Sequence, residues 1–361
     1  VINVVNKYLI ILYLIWCFIL TGCITEKNTT APQIKDYICT GEYDIKHFIF
    51  DPFTVDPQGN FYITNSSRES CMNIKKYNSQ GKYITGWVPE IKKKKKNCWF
   101  SERKHPPVYE ELTDIFADKE YVYIAYAAAY HFNLENNFAE DYTSHIEQYD
   151  LNGKFITARR PKEDTFLMAY LRFIKKDKNG NFYLAFWEHI EKYDSNWKLQ
   201  SVLYPFKQKW YVRRDYPGFT IIGDLAVDSE GYIYISINRY TNALRGTKNA
   251  FCNTKDHIAK FDSSGKFIKE RISEVSLMEN SSFWGLEIDP DNNIYILNIY
   301  ILEIKNTTYR IQKFDSTLNF VTRWDFDGYG GSHNAGIRID AIGNVYVDTG
   351  TYTIKKFSPK K

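Results

Sequence analysis

Residues 55–62 read Val55-Asp56-Pro57-Gln58-Gly59-Asn60-Phe61-Tyr62, and the pattern returns five times further along the chain. It reappears as Asp118-Lys119-Glu120-Tyr121-Val122-Tyr123, as Asp177-Lys178-Asn179-Gly180-Asn181-Phe182-Tyr183, and in the stretches that begin at Val227, Ile288 and Ile339. An Asp opens each turn and Gly or Asn usually supplies positive φ, which is the chemistry of a tight connection between two strands. A second signature follows every copy: Ile74-Lys75-Lys76-Tyr77, Ile146-Glu147-Gln148-Tyr149, Ile190-Glu191-Lys192-Tyr193, Ile258-Ala259-Lys260-Phe261, Ile311-Gln312-Lys313-Phe314 and Ile354-Lys355-Lys356-Phe357. Its alternation of apolar and polar residues predicts a strand with one buried face. Behind most of these lies a third element such as Gly81-Lys82-Tyr83-Ile84 or Gly265-Lys266-Phe267-Ile268.

Each unit therefore holds four strands, a to d, joined as a meander. Six such units predict an all-β fold, a six-bladed β-propeller of four-stranded antiparallel blades spanning residues 36–361. The sixth unit stops after its third strand, while an orphan Thr40-Gly41-Glu42-Tyr43 near the start matches the missing element. The N-terminal segment is expected to complete the last blade and close the ring. The recurring Val-Asp, Gly-Asn and hydrophobic-Tyr positions resemble those of the NHL-repeat family and its six-bladed relatives. That resemblance implies a fold, whereas the relatives range over scaffolds, ligand binders and enzymes.

Composition agrees with the strands. Among 361 residues, Tyr 29, Phe 24 and Trp 8 bring aromatics to 17%, and rings favour pleated, half-buried surfaces. A net charge of +4 is too small to argue for a nucleic-acid partner.

The first residues carry an address. Lys7 precedes an apolar run of thirteen residues, 8–20, short for a bilayer span and suited to a secretory signal. Leu20-Thr21-Gly22-Cys23 then resembles the lipobox of bacterial lipoproteins. This implies a signal peptide over 1–22, diacylation of Cys23, a polar tether over 23–35, and a monomeric propeller held to a membrane at the cell envelope outside the cytoplasm. An exported chain can form disulfides, and Cys71 with Cys98 is the expected pair.

In a four-strand meander the a–b and c–d turns share one end of the sheet, and the b–c and d–a loops share the other. The long insertions, 88–111, 127–144, 203–218 and 238–256, all belong to the second end, so one face is expected to do the work. Trp99, Trp187, Trp210 and Trp284 fall on it or at its edge, with Arg213, Arg239 and His333 among them. Aromatics and cations in such loops suit a glycan or an envelope protein.

The rival expectation is a metal-dependent lyase or hydrolase at the top of the channel, prompted by seven histidines that all map to this face or to strand ends beside it. No local His-x-x-x-His spacing exists. Of the positions where the amidating-lyase branch of NHL relatives places zinc ligands, this chain offers only His47 and His333, so that resemblance is not carried over. Asp289-Pro290-Asp291-Asn292-Asn293 coincides with a repeat turn and lacks the later Glu of an EF-hand. No catalytic residue, metal or cofactor is assigned from sequence.

Overall fold

The computed structural model describes residues 37–44, 52–65, 73–90, 109–129, 132–133, 138–139, 142–161, 170–187, 189–205, 218–241, 257–272, 281–303, 306–328, 336–349 and 353–360. The aspartate that opens each unit organises it. Asp56 Oδ1 accepts the N–H groups of Gln58 (3.0 Å) and Asn60 (2.9 Å), while Oδ2 accepts the Asn60 amide (2.9 Å) and the Tyr62 hydroxyl (3.1 Å). Asp177, Asp228, Asp289 and Asp340 take the hydroxyls of Tyr183, Tyr234, Tyr295 and Tyr346 in the same way. Each of these tyrosines is buried, so its single polar atom needs a partner there. Burial first, and the neighbouring carboxylate second, raise the pKa of Tyr62 and Tyr234.

The third-strand signature completes this arrangement. Lys76, Lys192, Lys260, Lys313 and Lys356 stand over the rings of Tyr62, Tyr183, Tyr234, Tyr295 and Tyr346 at 5.1–5.4 Å from the centroid. The second unit carries Gln148 at this position, and its neighbour substitutes: Lys176 Nζ donates to Asp118 Oδ2 (2.6 Å) and to the Tyr123 hydroxyl (3.2 Å). The cation is kept although its source changes.

These turns connect six four-stranded antiparallel sheets. Blade 1 comprises strands a to d at Phe53–Val55, Phe61–Asn65, Asn73–Tyr77 and Tyr83–Trp87. Blade 2 runs through Tyr109–Ala117, Tyr121–Ala129, Tyr142–Asp150 and Phe155–Arg159, and blade 3 through Phe173–Lys176, Phe182–Ala185, Ile190–Tyr193 and Leu199–Leu203. Blade 4 holds Gly218–Val227, Ile233–Thr241, His257–Phe261 and Phe267–Ile272; blade 5 holds Ser281–Ile288, Ile294–Glu303, Asn306–Phe314 and Phe320–Gly328. Blade 6 takes Ile337–Ile339, Val345–Asp348 and Thr353–Pro359 from the end of the chain and Tyr37–Asp44 from its beginning. Neighbouring a strands touch all the way round, so the ring is closed as expected.

The core lies between blades. Six buried clusters each join two adjacent sheets, as where Tyr295, Leu297 and Trp324 of blade 5 meet Ile337, Val347 and Phe357 of blade 6. Each outer strand contains a β-bulge opposite the end of strand c, and its fifth residue beyond the turn reaches the c–d turn of the next blade, except in blade 5, where Trp324 meets Tyr37 and Phe357 of blade 6. Where that residue is bulky, the turn it meets has Gly: a Cβ on Gly153 would lie 2.4 Å from the Trp87 ring. Where it is Arg, the turn supplies the bulk itself. Arg159 lies over Trp197, and Arg271 donates to the Leu318 carbonyl (2.9 Å). Trp197 and Leu318 accept left-handed φ values of 62° and 65° to do so.

Two expectations change. The insertions of blades 2 and 4 are partly strand: b and c of blade 2 extend to Ala129 and from Tyr142, with a small hairpin of Phe132–Asn133 and Phe138–Ala139 beyond, and b of blade 4 reaches Thr241. The closing strand also sits in a different register. Cys39 pairs with Phe357 where Tyr83 pairs with Tyr77, so Gly41 is a strand residue past the bulge and not the counterpart of the turn residue Gly81.

Candidate functional site

The innermost strands surround the axis, and the residue two before each turn Asp differs from blade to blade, apolar ones packing in the seams between blades and charged ones standing in blades 3, 5 and 6. In blade order the residues at this position are Thr54, Phe116, Lys175, Ala226, Glu287 and Arg338. Lys175 Nζ bonds Glu287 Oε1 at 2.6 Å, from blade 3 to blade 5. Arg338 reaches from blade 6 to Asp114 Oδ1 of blade 2 at 3.1 Å and to Glu287 Oε1 at 3.5 Å. The Lys175–Glu287 and Arg338–Asp114 links each skip a blade and so reach across the ring, whereas Arg338–Glu287 joins neighbouring blades.

Asp114 and Asp224, two residues nearer the loop-bearing end, also clip blade to blade. Asp114 Oδ2 accepts the Ile174 N–H (3.0 Å) and Asp224 Oδ2 the Leu286 N–H (2.9 Å), each from the a strand of the next blade. A bulge in the inner strand precedes each of them and aims it there.

Among the described residues, three carboxylates, Asp114, Asp224 and Glu287, thus lie close to two largely buried cations, Lys175 and Arg338. Burial raises the pKa of Asp224 to about 6 against the pull of Lys175 and Arg338, with Glu287 adding to the rise. Burial likewise raises Asp114, opposed by Arg338 and Lys175. For Arg338, burial opposes the charge, but Asp114, Glu287 and Asp224 outweigh it and raise its pKa. The cluster is an electrostatic pin through the ring, with its charged groups committed to one another.

At the loop-bearing end, the expected Trp187 stands half-buried in the tight b–c turn of blade 3. Arg172 lies 4.7 Å from its ring centroid and Tyr170 packs at 5.7 Å. The Arg172 guanidinium also donates to the Ile222 carbonyl of blade 4, which fixes its reach. Tyr170 and Arg172 are half-exposed beside Trp187, and sequence reasoning missed both because they stand singly between the repeat signatures.

Three of the histidines are placed, each immediately before the Ile of the third-strand signature. His145 stacks on Tyr126 (4.7 Å), His189 on Phe186 (4.6 Å) with Nε2 3.5 Å from Glu191, and His257 Nδ1 lies 3.7 Å from Glu270. Repeat-equivalent positions belong to three different sheets, third from the axis, so these three do not converge. The His-Ile dipeptide recurring in units two to four was the signal that could have said so. Among the described residues no group of three His, Cys, Asp or Glu side chains is arranged to hold a metal ion.

Arg239 pairs with Thr220 in strand b of blade 4, and Trp284 is the bulge residue between Phe283 and Gly285 in strand a of blade 5. Trp99, Trp210, Arg213, His333, His47, Cys71, Cys98 and Cys23 lie outside the described residues.

The protein is an all-β six-bladed β-propeller. No family model matches the chain, and no curated protein matches it, so the NHL-like spacing remains a resemblance. Among solved structures it is similar to a protein of unknown function from Dyadobacter fermentans, at 12% identity and TM-score 0.55 over 91% of this chain and 100% of the other. A member of the DUF4221 family from Bacteroides vulgatus aligns at 11% identity and TM-score 0.47, covering 90% and 98% of the two chains. The WD40 β-propeller domain of Doa1 aligns at 11% and 0.45, with the same coverage. At such identities the likeness concerns the fold alone.

Proposed function

We propose that this chain is a lipid-anchored propeller of the cell envelope whose loop-bearing end binds a glycan or protein partner. The observation that carries the reading is the Tyr170, Arg172 and Trp187 group on blade 3. Half-buried rings offer apolar faces to a sugar, and the guanidinium held beside the indole adds positive charge that suits a carboxylate or sulfate. An acidic glycan fits that combination best. The axial charges serve the ring, since each cation is paired with carboxylates of other blades.

Retention of the full chain on immobilised polygalacturonate, with neutral mannan as control, tests the reading. Trp187→Ala and Arg172→Gln are each expected to weaken retention by about tenfold, the scale of a central aromatic or Arg contact. Equal retention of wild type on both polymers, or unchanged retention of both variants, would remove the glycan reading.

A further inference from the structure

The opposite end of the ring is also chemically distinctive. Most of the exposed large apolar side chains among the described residues lie at the starts of outer strands, directly after c–d turns. Tyr83 and Ile84 mark blade 1, Ile156 blade 2, Phe267 and Ile268 blade 4, and Phe320 and Val321 blade 5; each is 37% to 54% exposed. Ile342, in the a–b turn of blade 6, is 78% exposed at the same end. The repeated bulge accounts for the periodicity: Ile84, Ile156, Ile268 and Val321 are the extra residues that it leaves without a ladder partner. Exposed lysines accompany three of these groups, as Lys82, Lys154 and Lys266 close the c–d turns of blades 1, 2 and 4; Lys198 closes that of blade 3, which presents no such apolar side chain.

Five of the six blades thus present apolar groups, most with a flanking cation, at one level of a closed ring. A compact partner could touch one side of such a ring, whereas a plane can touch all of it. The chain also enters here. Tyr37 pairs with Pro359, where strand c of blade 6 ends, so the segment preceding residue 37 is attached at this end and not at the loop-bearing one.

We infer that the short-turn end rests on the lipid bilayer, with the apolar bulge residues at the headgroup boundary and the lysines on anionic headgroups, so that the loop-bearing end faces away from the membrane. This rests on the lipid-anchor reading for its geometry: thirteen residues, 24–36, follow Cys23, and random-coil statistics give a tether of that length a reach of roughly 20 Å. A tether of that reach holds the attached end nearest the surface. Lysine stems and aromatic rings suit that interface.

The test uses the full chain with a protease site inserted within residues 24–36, bound to vesicles of phosphatidylethanolamine and phosphatidylglycerol. The mass of the N-terminal peptide reports acylation by itself. Hydroxyl-radical labelling of Tyr83, Phe267 and Phe320 is expected to be about threefold lower on vesicles than after proteolytic release, the protection that insertion at an interface gives. Val202, exposed further along its strand, should not change. The variant carrying Ile84→Asp, Ile268→Asp and Val321→Asp should lose the protection while its acyl chains stay in place. Equal labelling before and after release, or protection that survives the triple substitution, overturns the inference. An unacylated N-terminus would remove the anchor reading alone. The labelling would then be repeated with vesicles added to the unanchored protein: protection there supports the rim contact and its absence overturns it.

Discussion

Blade 5 and blade 6 differ in how their outer strand is tied. In blade 5 a turn leads from c to d, and Leu318 in that turn is fully buried against blade 4. Blade 6 has no such turn, because its outer strand comes from the other end of the chain, and Tyr37 fills the space. Its ring stacks on Trp324 of blade 5 at 4.6 Å, and its hydroxyl meets that of Tyr295 at 2.8 Å. The same hole is filled in one case by local chain and in the other by a residue 258 positions from its partner. A local turn keeps its plug close even when packing loosens. A distant strand has nothing but its contacts, so the ring is expected to open first at blade 6.

Replacing the two plugs measures that difference. Tyr37→Ala removes a buried ring and should cost about 4 kcal/mol, somewhat more than Leu318→Ala at about 3 kcal/mol, on the scale of large-to-small core changes. Equilibrium denaturation gives both values. The informative quantity is hydrogen exchange in strand c of blade 6, Thr353–Pro359, which should rise by a larger factor in Tyr37→Ala than exchange in strand c of blade 5 rises in Leu318→Ala. Equal local responses would show that closure is no weaker than a covalent turn.

Blade 6 has a second lock at the axis. Where blade 4 offers Ala226 and blade 2 Phe116, blade 6 offers Arg338, bound to Asp114 across the channel. Arg338→Met keeps much of the side-chain volume and leaves a buried carboxylate unpaired, which should cost about 3 kcal/mol. The companion Asp114→Asn, Arg338→Met double variant should recover a large part of that loss. If the single and double variants fall together, the pair is mere packing.

These two locks were unequally legible. The closing strand could be read because the sixth unit lacked a fourth strand and a spare one stood at the start. Its register could not: matching Gly41 to Gly81 relied on residue type, whereas the pairing is set by the bulge and by Tyr37 filling a hole that no local pattern reveals. The turn Asp, the tyrosine and the third-strand Ile stand in fixed positions and announced the blade. Lys175, Glu287 and Arg338 also share one repeat position, but a pattern built on sameness passes over residues whose use lies in differing from blade to blade. The half-exposed Tyr170 and Arg172 escaped for a related reason, since their relation to Trp187 is made by folding and not by spacing.

The axial cluster should also be visible as a pH dependence, the smallest of these effects. With its pKa raised from 3.8 to about 6, Asp224 in the folded protein holds a proton that the unfolded chain has released between those values. Stability therefore falls as pH rises through this window and levels off above it. Asp114 is shifted in the same direction and contributes to the same slope. Asp224→Asn removes one of the two proton sites, so its denaturation midpoint should vary less between about pH 4 and pH 6 than that of the wild type. Carboxylates paired favourably at the surface would give the opposite sign, with stability rising over the same range. A wild-type midpoint that climbs through this window would mean that the negative charge at the axis is compensated, and the cluster would then tie blade 6 no more tightly than its turns tie the others.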